Sequence, residues 1–546
     1  MKQWKLYDIP YYDTFFPYLT DLGRKYEDRI AIAQFRRNGE LTTHTYRQLS
    51  DDALGLARTL RDCGFAGSHL AIVGENSYDW LVAFLGVACA GCVAVTIDTE
   101  QPDSVIREML KRADAVGAFA SETFLPICAP LREDGSLRML SSLAAEERMD
   151  SLHSMCEAGK KRNTPLGENL TPDTPTALVF TSGTTSAAKP VLLSQQNILV
   201  NATDSLRLAD ITQDLFTALP LYHTFGLNCT VLGTLLNGVR ITLNGDLKTM
   251  LRDLQHSNSG ILLAVPLVLE AIYKGLMRGV EEAGMTAKVS KLMRLNRFLR
   301  KLHLSVGRKS LLRIKEKGGL GSVNLCVCGG ANLSRELSEN LDILGIRVLQ
   351  GYGITECSPL ISVNCTHSSA IGSVGHVTPN CEVKIVDGEI LARGKNVMLG
   401  YYHDPAQTAE AFDGEWFRTG DLGYMDRRGF LYITGRKKNL IVFKNGKKVS
   451  PEKLEEMISG IPMVGEVLVS GTTGGNATDD VKIAASICPD LRETAGMSSY
   501  EILEHLQKEI DELNKQIPPY QQIQMVSIRD TEFEKTSTKK IKRSTV

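Results

Sequence analysis

The stretch Leu178-Val-Phe-Thr-Ser-Gly-Thr-Thr-Ser-Ala-Ala-Lys-Pro-Val191 decides the fold. Its apolar beginning, residues 177–180, predicts a buried strand that runs into a loop of small and hydroxyl-bearing residues ending at Lys189. Ser194 is well placed to cap a following helix. Backbone N–H groups and hydroxyls in such a loop donate to phosphate oxygens, and a lysine adds positive charge. The stretch therefore predicts a polyphosphate-binding loop without Walker spacing, the alternative being a Ser/Thr-rich surface turn.

Upstream of this loop, strand and helix patterns alternate. Ser50 is expected to cap a helix that Gly64 ends, and residues 70–73, 76–85 and 92–97 read as strand, helix and strand. This alternation predicts an α/β fold with a parallel sheet covered by helices on both faces. The uncharged run 80–97 is marginal in length for a membrane span, and its β-branched end favours a buried helix followed by a strand. The polar, proline-containing stretch 151–175 predicts a linker.

Composition narrows the possible classes of protein. A chain of 546 residues with 43% apolar residues can bury a large core and exceeds one ordinary domain. Its formal net charge of −1 provides no global basic field for nucleic acid. The close cysteine pairs Cys89/Cys92 and Cys326/Cys328 lie in apolar runs without histidine, which favours buried free thiols over zinc ligands or disulfides. That usage, with no signal peptide recognised at the start, predicts a cytoplasmic protein.

Four further motifs follow the loop in order. They are Gly351-Tyr-Gly-Ile-Thr-Glu356, Trp416-Phe-Arg-Thr-Gly-Asp-Leu-Gly423, Thr434-Gly-Arg-Lys-Lys-Asn439 and Lys539-Lys-Ile-Lys-Arg543. In this order and separation, the five motifs resemble those of the acyl-adenylate-forming (AMP-binding) enzymes, which include acyl-CoA synthetases, adenylation domains and luciferases. The resemblance extends from Thr45 to Arg543 and is greatest to long- and medium-chain fatty acyl-CoA synthetases.

The resemblance implies a two-domain architecture. Residues 1–437 would form a large N-terminal adenylation domain that binds ATP and the acid, with parallel sheets flanked by helices and a small β-barrel-like region. Residues 438–546 would form a small, mobile α+β domain that carries the catalytic lysine, and Lys438 would be its hinge. Asp387-Gly388, in the short-strand stretch that begins at Gly372, predicts a hairpin, and Ser498 in the small domain predicts a helix cap.

The activity implied by the resemblance is ATP-dependent ligation of a carboxylic acid, expected to be a fatty acid. The acid would be activated as acyl-AMP and transferred to CoA, giving acyl-CoA, AMP and pyrophosphate. ATP, Mg²⁺ and the co-substrate CoA are the implied cofactors. Transfer to an acyl-carrier protein and release of the acyl-AMP remain alternatives, as does a non-catalytic, membrane-associated protein that binds acyl groups and nucleotides.

The resemblance also implies roles for individual residues. Lys540 would neutralise charge in the transition state, Thr181 and Glu356 would hold the metal, and His223 would stand near the substrate carboxylate at the acyl tunnel. Without the motifs, His223 would read as a satisfied core residue and Lys540 as part of a solvated tail. The implied cofactor-binding residues are Thr181, Ser182, Gly183, Thr184, Thr185, Lys189, Gly330, Ala331, Gly351, Tyr352, Thr355, Asp421, Arg436, Lys438 and Gly446.

This sequence departs from the family pattern at four positions. Ser186, Ala188, Pro190 and Lys539 stand where relatives usually carry glycine, proline, glycine and glycine. Proline removes a backbone donor, and serine is strained wherever the loop needs positive φ. These changes are expected to affect the rate more than the reaction, because the other implied ligands are present.

Residues 288–317 form a strongly basic segment in which Glu316 is the only acidic residue. Apolar residues recur in it at intervals of three and four, which predicts an amphipathic helix with a basic face. Such a face suits peripheral contact with an anionic membrane, here the inner membrane's cytoplasmic side, or binding of CoA phosphates. A solvated surface helix is the alternative.

Overall fold

The computed structural model describes residues 5–144, 151–181, 188–300, 306–443, 446–472, 481–535 and 541–543. The chain divides into two compact units. The larger unit comprises the described residues up to 181 together with 188–383 and 392–417. The smaller unit comprises residues 384–391 and the described residues from 418 onward. The predicted boundary at residue 438 stays a prediction.

The helices of the described residues alternate with strands through most of the larger unit, and the last two helices lie in the smaller unit. They are α1 (Phe15–Tyr26), α2 (Tyr46–Asp62), α3 (Tyr78–Ala90), α4 (Asp103–Arg112), α5 (Leu125–Glu133), α6 (Leu152–Lys160), α7 (Gln195–Leu208), α8 (Met250–Ser257), α9 (Pro266–Glu282), α10 (Thr286–Leu299), α11 (Arg308–Lys317), α12 (Arg335–Ile343), α13 (Pro405–Glu410), α14 (Pro451–Ile458) and α15 (Ser499–Asn514). A π-helix covers Phe225–Gly233, and 3₁₀ turns include Thr355–Cys357 and Lys437–Asn439.

The strands up to Tyr401 belong mainly to two large sheets. They are β1 (Ile30–Phe35), β2 (Leu41–Thr45), β3 (His69–Val73), β4 (Val93–Thr96), β5 (Ala115–Ala120), β6 (Met139–Ser142), β7 (Pro175–Phe180), β8 (Pro190–Ser194), β9 (Leu215–Thr217), β10 (Ile241–Leu243), β11 (Ile261–Ala264), β12 (Leu325–Cys328), β13 (Arg347–Gly353), β14 (Leu360–Val363), β15 (His376–Val377), β16 (Cys381–Val386), β17 (Glu389–Gly394) and β18 (Gly400–Tyr401).

The two sheets have parallel centres. The first has the order β15-β14-β13-β12-β11-β9-β10-β1-β2, and the second has the order β18-β8-β7-β4-β3-β5-β6. Antiparallel pairs occur only towards the edges of these sheets, at β13-β14-β15, β1-β2 and β7-β8-β18. This confirms the α/β class and the parallel sheets predicted from the strand–helix alternation.

The larger unit is layered. Helices α1, α2, α3 and α7 share one core with residues of both sheets, including Ile32 and Leu349 from the first and Ile72 and Val179 from the second. The outer face of the first sheet packs on α9, α10, α11 and α12, and that of the second sheet packs on α4 and α5. Each sheet is therefore buried on both faces, as parallel sheets require.

The smaller unit is built from short strands and two helices. Its strands after β19 (Phe412–Asp413) are β20 (Trp416–Met425), β21 (Leu431–Arg436), β22 (Ile441–Val442), β23 (Lys448–Val449), β24 (Val464–Thr472), β25 (Lys482–Pro489) and β26 (Met525–Ile528). Asp387 and Gly388 form the tip of the predicted hairpin, both at positive φ. Helices α14 and α15 pack on the sheet β24-β25-β26, and Ser498 caps α15 as predicted.

Three local predictions were wrong. Helix α2 begins at Tyr46, because Thr45 and Gln48 form a capping box, and Ser50 is buried inside the helix. Part of the expected linker is helix α6, capped by Ser151 and packed tightly on α2. The basic segment contains two helices, α10 and α11, with residues 301–305 lying outside the described ranges.

The prediction of a buried helix followed by a strand in the uncharged run is confirmed. The run 80–97 is the buried helix α3 followed by β4. No helix in the described ranges is long and apolar enough to cross a membrane. The twelve cysteines lie within the described residues, and none of them forms a disulfide there.

Candidate active site

The base of the phosphate loop is held between two antiparallel strands. Strand β7 leads into Thr181, and β8 begins directly after Lys189. The Thr181 N–H donates to the Lys189 carbonyl at 2.9 Å, and the Lys189 N–H donates to the Thr181 Oγ1 at 3.4 Å. These bonds bring the two ends of the loop together. Of the predicted loop ligands, Ser182, Gly183, Thr184 and Thr185 lie outside the described residues, as does Ser186.

Pro190 is accommodated where a proline costs least. It is the first residue of β8, and its carbonyl accepts a hydrogen bond from the Tyr402 N–H at 2.8 Å. A proline at the first position of a strand removes no ladder bond that the strand interior needs. This departure from the family pattern therefore leaves the sheet beside the loop intact.

Tyr401 links Glu356 to the base of the loop. Its hydroxyl donates to the Glu356 Oε1 at 2.9 Å, and the Lys189 Nζ lies 4.9 Å from the centroid of its ring. Burial and the neighbouring Glu356 raise the pKa of Tyr401, so the phenol remains protonated and can donate. Three predicted site elements, Thr181, Lys189 and Glu356, are thus brought into one polar cluster.

The oxygen ligands in this cluster fit a magnesium ion. Mg²⁺ is usually bound by one or two carboxylates that share it with substrate phosphates and water. Glu356 and Thr181 offer a carboxylate and a hydroxyl, and the described residues contain no group of three metal-ligating side chains. An ion bound here would be held jointly with a polyphosphate, and Glu356 would be its protein carboxylate.

An apolar cavity of about 680 Å³, including its open mouth, lies against the first sheet of the larger unit. Its walls come from the second half of α7 and the residues after it, from the π-helix, and from β11, β12, β13 and β14. The lining residues include Leu206, Ala209, Ile211, Phe225, Cys229, Leu263, Val327, Leu360 and Val363. Small-molecule sites are mostly apolar, and the lining of this cavity agrees with that pattern.

The glycine turns predicted to approach the nucleotide line this cavity. Gly330, Gly351 and Tyr352 are all among its lining residues. Gly330 has a φ of 85°, and a Cβ on Gly353 would lie 2.0 Å from the Pro359 carbonyl oxygen, so both positions favour glycine. Of the other residues predicted here, Ala331 is half-buried in the turn, and Thr355 opens the 3₁₀ turn that carries Glu356.

His223 lies next to the start of the π-helix, two residues before Phe225, which lines the cavity. Burial lowers the pKa of His223, and the nearby Asp98 only partly opposes this effect. The imidazole is therefore neutral at pH 7 and suited to hydrogen bonding. Its predicted place near the substrate carboxylate stays a prediction.

In the smaller unit, two residues predicted to bind the ribose contact each other. Asp421 and Arg436 are paired across β20 and β21, and the Arg436 Nε donates to the Asp421 Oδ1 at 2.7 Å. Lys438 lies in the 3₁₀ turn that follows β21, and Gly446 has a φ of 80°. Lys540 lies outside the described residues.

Tyr401 is the residue that sequence reasoning missed. It lies 45 residues from Glu356 in the chain, and two adjacent tyrosines before the Asp404 cap of α13 carry no signal for a contact with that carboxylate. Only the pairing of β18 with β8 places Tyr401 beside the loop.

Comparison with known proteins supports this architecture. The AMP-binding enzyme family matches residues 19–402, and the AMP-binding enzyme C-terminal domain matches residues 438–546. The chain is 29% identical over 432 residues to the long-chain-fatty-acid–CoA ligase FadD15 of Mycobacterium bovis, covering 74% of this chain and 71% of that protein. It is 24% identical over 557 residues to the long-chain-fatty-acid–[acyl-carrier-protein] ligase AEE15, chloroplastic, of Arabidopsis thaliana, covering 86% and 75%.

A solved structure shows the same fold. The anthranilate CoA ligase AuaEII, crystallised with anthranoyl-AMP, superposes with a TM-score of 0.77 at 20% identity, covering 98% of this chain and 97% of its own. The family match extends over most of the chain and includes both ends of the phosphate loop, Glu356 and the glycine turns. The chain therefore belongs to the AMP-binding enzyme family and is an adenylate-forming, AMP-forming acid ligase.

Proposed function

We propose that this enzyme activates a fatty acid with ATP and transfers the acyl group to CoA. The observation that carries the proposal is the apolar cavity, whose lining includes Gly330, Gly351 and Tyr352. The chain continues from these turns into Glu356 and its polar cluster. An apolar tail would fill the cavity while its carboxylate faces the residues that receive ATP.

The first half-reaction would form the acyl adenylate. A carboxylate oxygen attacks the α-phosphorus of ATP, the new O–P bond forms, and the bond to pyrophosphate breaks. Lys189 and the Thr181 hydroxyl would bind phosphate oxygens, and Lys540 would neutralise the charge that develops in the transition state. Magnesium, held by Glu356 and Thr181, would supply further neutralisation of the phosphates.

Tyr401 would position Glu356 in this step. A phenol with a raised pKa holds its proton and fixes one carboxylate oxygen through the hydrogen bond. The other oxygen is then oriented by the same bond. In this role Tyr401 touches neither the acid nor ATP, and it acts through Glu356.

The second half-reaction would form the thioester. The CoA sulfur attacks the acyl carbon, the carbon–oxygen bond to AMP breaks, and the thiol proton is lost to solvent or to the departing AMP. We propose that residues 438–546 form a mobile domain that turns about Lys438, which withdraws Lys540 and presents a different face for CoA. Asp421 and Arg436 would bind the ribose of the nucleotide in both steps.

A panel of carboxylic acids tests the proposed substrate class. Acids from C2 to C18 and aryl acids are assayed for ATP-dependent thioester formation with CoA. A fatty acid should give the highest kcat/KM, because the cavity walls are mainly aliphatic. Preference for an aryl or a two-carbon acid would refute the fatty-acid assignment while leaving the ligase chemistry in place.

An acyl-carrier protein is a second candidate acceptor. The similarity to an acyl-carrier-protein ligase favours testing it, and the basic residues of α10 and α11 would suit either an acidic carrier protein or CoA phosphates. The same panel with carrier protein in place of CoA distinguishes the two acceptors. Accumulation of free acyl-AMP with both would indicate an acyl-AMP ligase, and no AMP from any acid would indicate a binding protein.

We also propose a cytoplasmic enzyme that makes peripheral contact with an anionic membrane. The free cysteines suit a reducing compartment. On α10, Lys288, Lys291, Leu295 and Phe298 recur at intervals of three and four and are exposed, with 66% of Phe298 accessible. A face with basic residues beside exposed apolar ones is the type that binds at a bilayer surface.

A further inference from the structure

A second cavity, of about 400 Å³ including its open mouth, is polar and lies apart from the residues assigned above. It is bounded by the end of α10, by α12, by β13 and by the loop 364–373. The side chains that matter for its chemistry are Arg300, Asp342, Arg347, Gln350 and Ser369. None of these side chains has a role in the proposed reaction, and none of them lines the apolar cavity.

The charges around this cavity are unbalanced. Arg300 Nη2 and Asp342 Oδ2 are 2.9 Å apart, whereas the buried Arg300 Nη1 has no hydrogen-bond partner. Arg347 Nη2 donates to the Ser369 Oγ at 3.1 Å, and in the described part of the chain Arg347 forms no ion pair. The lining of the cavity thus holds two guanidinium groups and one carboxylate, which pairs with only one of them. A buried donor without a partner is costly, and a bound acceptor would remove that cost.

The wall of the cavity formed by the loop is preorganised. Asn364 is buried, and its Nδ2 donates to the carbonyls of Gln350 and Ser373 at 3.1 and 2.8 Å. Its Oδ1 accepts from the Ala370 N–H at 2.8 Å. The loop is therefore held in place without a ligand, and binding would not require it to fold first.

Strand β13 lines both this polar cavity and the apolar cavity described above. Val348 packs against the core on the outer face of the first sheet, where α9 to α12 lie. Leu349 packs on the opposite face, against the core shared with α1, α2, α3 and α7, in the alternation expected of a strand. Gln350 lines the polar cavity, and the next residue, Gly351, lines the apolar cavity. A ligand in the polar cavity would thus contact the strand that also lines the apolar cavity.

We propose that the polar cavity is a binding site for a small molecule carrying a phosphate group. Guanidinium groups bind phosphate through paired, charge-assisted hydrogen bonds. Arg300 Nη1, Arg347, Gln350 and the Ser369 hydroxyl provide more donors than the two oxygens of a carboxylate can use. A tetrahedral oxyanion with three or four oxygens matches this donor set better.

Isothermal titration of the full-length protein with inorganic phosphate tests the site, with sodium acetate and sodium chloride at matched ionic strength as references. Phosphate should bind saturably and more tightly than acetate. Arg347→Gln should weaken phosphate binding about tenfold or more, because it removes a charged donor. Arg335→Gln is the matched control, since Arg335 pairs with Glu339 on α12 and does not line the cavity.

Two further variants make the outcome decisive. Lys189→Gln should retain phosphate binding, which separates this cavity from the phosphate loop. Gln350→Leu should weaken binding severalfold if Arg347→Gln fails to fold. Absence of saturable phosphate binding, tighter binding of acetate, or equal affinity in Arg347→Gln and Arg335→Gln would overturn the proposal. Failure of the proposed ligase activity would leave these binding results unchanged.

Discussion

Tyr401 makes the contacts that join Glu356 to Lys189 at the base of the phosphate loop. It donates a hydrogen bond to Glu356, and Lys189 lies over its ring. Neither contact follows from the motifs in the sequence, because the three residues come from β18, the loop base and a 3₁₀ turn. The motifs identify residue types for phosphate and metal binding, but the residue that orients them is found only once the strands are paired.

Replacing Tyr401 with Phe should slow adenylate formation. The change removes one hydrogen bond to a carboxylate and keeps the ring beside Lys189. A hydrogen bond to a charged group contributes about 1.5–3 kcal/mol, so kcat/KM for ATP should fall about 10-fold to 150-fold. Pyrophosphate release with a saturating fatty acid measures the effect.

Tyr402→Phe is the matched control for this substitution. The Tyr402 hydroxyl donates to Asp114 at 2.9 Å, away from Glu356, and its loss should leave kcat/KM unchanged. Equal rates for the two variants would contradict the role of Tyr401.

Asp79 provides a prediction about stability and pH. It lies in the first turn of α3, and burial, with a contribution from Asp52, raises its pKa to about 6. The unfolded chain ionises this carboxyl near pH 4, so ionisation costs stability progressively between pH 4 and pH 6 and fully above pH 6. Below pH 4 the carboxyl is protonated in both states and the cost disappears.

Asp79→Asn should therefore stabilise the protein at pH 7 and lose that advantage towards pH 4. Thermal melts should show Tm raised by about 2–4 °C at pH 7.5. Asp51→Asn, at an exposed position on α2, should change Tm little at either pH. A gain in Tm that does not depend on pH would refute the assigned cause.

At the scale of elements, the sequence predicts where a helix or strand lies in the chain better than which other element it packs against. The strand before the phosphate loop, the glycine turn after β12 and the cap of α15 were predictable because each depends on a few adjacent residues. Helix α6 was missed because its support comes from another helix: a Cβ on Gly159 would lie 1.7 Å from the Gly55 carbonyl oxygen. That close approach between α2 and α6 stabilises a short helix whose own sequence reads as a linker.

The start of α2 was recoverable from the sequence. Thr45 is followed three residues later by Gln48, which completes a capping box, whereas Ser50 is followed by Ala53. The acidic pair Asp51 and Asp52 after Ser50 favoured the later start, because acidic side chains stabilise the N-terminal end of a helix. Reciprocal capping at Thr45 satisfies two backbone donors and outweighs that preference.

The basic segment shows why charge in a sequence does not by itself define a surface. Arg297 donates to Glu336 and Asn340, and Arg300 pairs with Asp342, so both residues join α10 to α12. They are unsuitable for testing membrane contact, because their loss would disturb packing. Lys288, Lys291 and Arg294 are exposed on α10 and form the part of the segment available to a bilayer.

Changing Lys288, Lys291 and Arg294 together to Gln should release the protein from anionic vesicles. Each basic residue near such a surface contributes about 1 kcal/mol, and binding should weaken steeply with salt. Sedimentation with vesicles containing acidic lipid measures the bound fraction. A control variant removes the same charge from α11 through Gln substitutions at Arg308, Lys309 and Arg313. It should reduce binding less, because the exposed Leu295 and Phe298 belong to α10.

Activity on a medium-chain acid dissolved in water distinguishes the possible outcomes for α10. It should be unchanged in the α10 variant. Loss of vesicle binding together with this activity would show that the segment serves CoA binding or the fold. Retention of vesicle binding would show that the α10 face is only solvated.

At the scale of the whole molecule, the α/β class follows from strand–helix alternation, and the family follows from five ordered motifs. The apolar cavity could not be predicted from the sequence. Its walls come from α7, the π-helix and four strands that are distant from α7 in the chain, and its volume depends on how these elements pack. Substrate class therefore has to be argued from the cavity, and the motifs carry the chemistry common to the family.

Lys540→Ala should separate the two half-reactions. The family resemblance assigns this lysine to the adenylation transition state, where loss of one well-placed cation costs about 10²–10³ in rate. Pyrophosphate release from ATP and a fatty acid should fall by that factor. Thioester formation from supplied acyl-AMP and CoA should stay within a few-fold of the unchanged enzyme. Lys542→Ala, two residues away, is the matched control, and an equal fall in both half-reactions would contradict the assignment.

The amounts of AMP and acyl-CoA formed together test the central claim most directly. The purified protein is incubated with ATP, magnesium, CoA and the acid preferred in the panel, and AMP, ADP, pyrophosphate and thioester are quantified over time. The account predicts AMP, pyrophosphate and acyl-CoA in a 1:1:1 ratio, with no product when the acid is left out. Formation of ADP in place of AMP, or AMP without thioester from every acid, would contradict an AMP-forming acyl-CoA ligase.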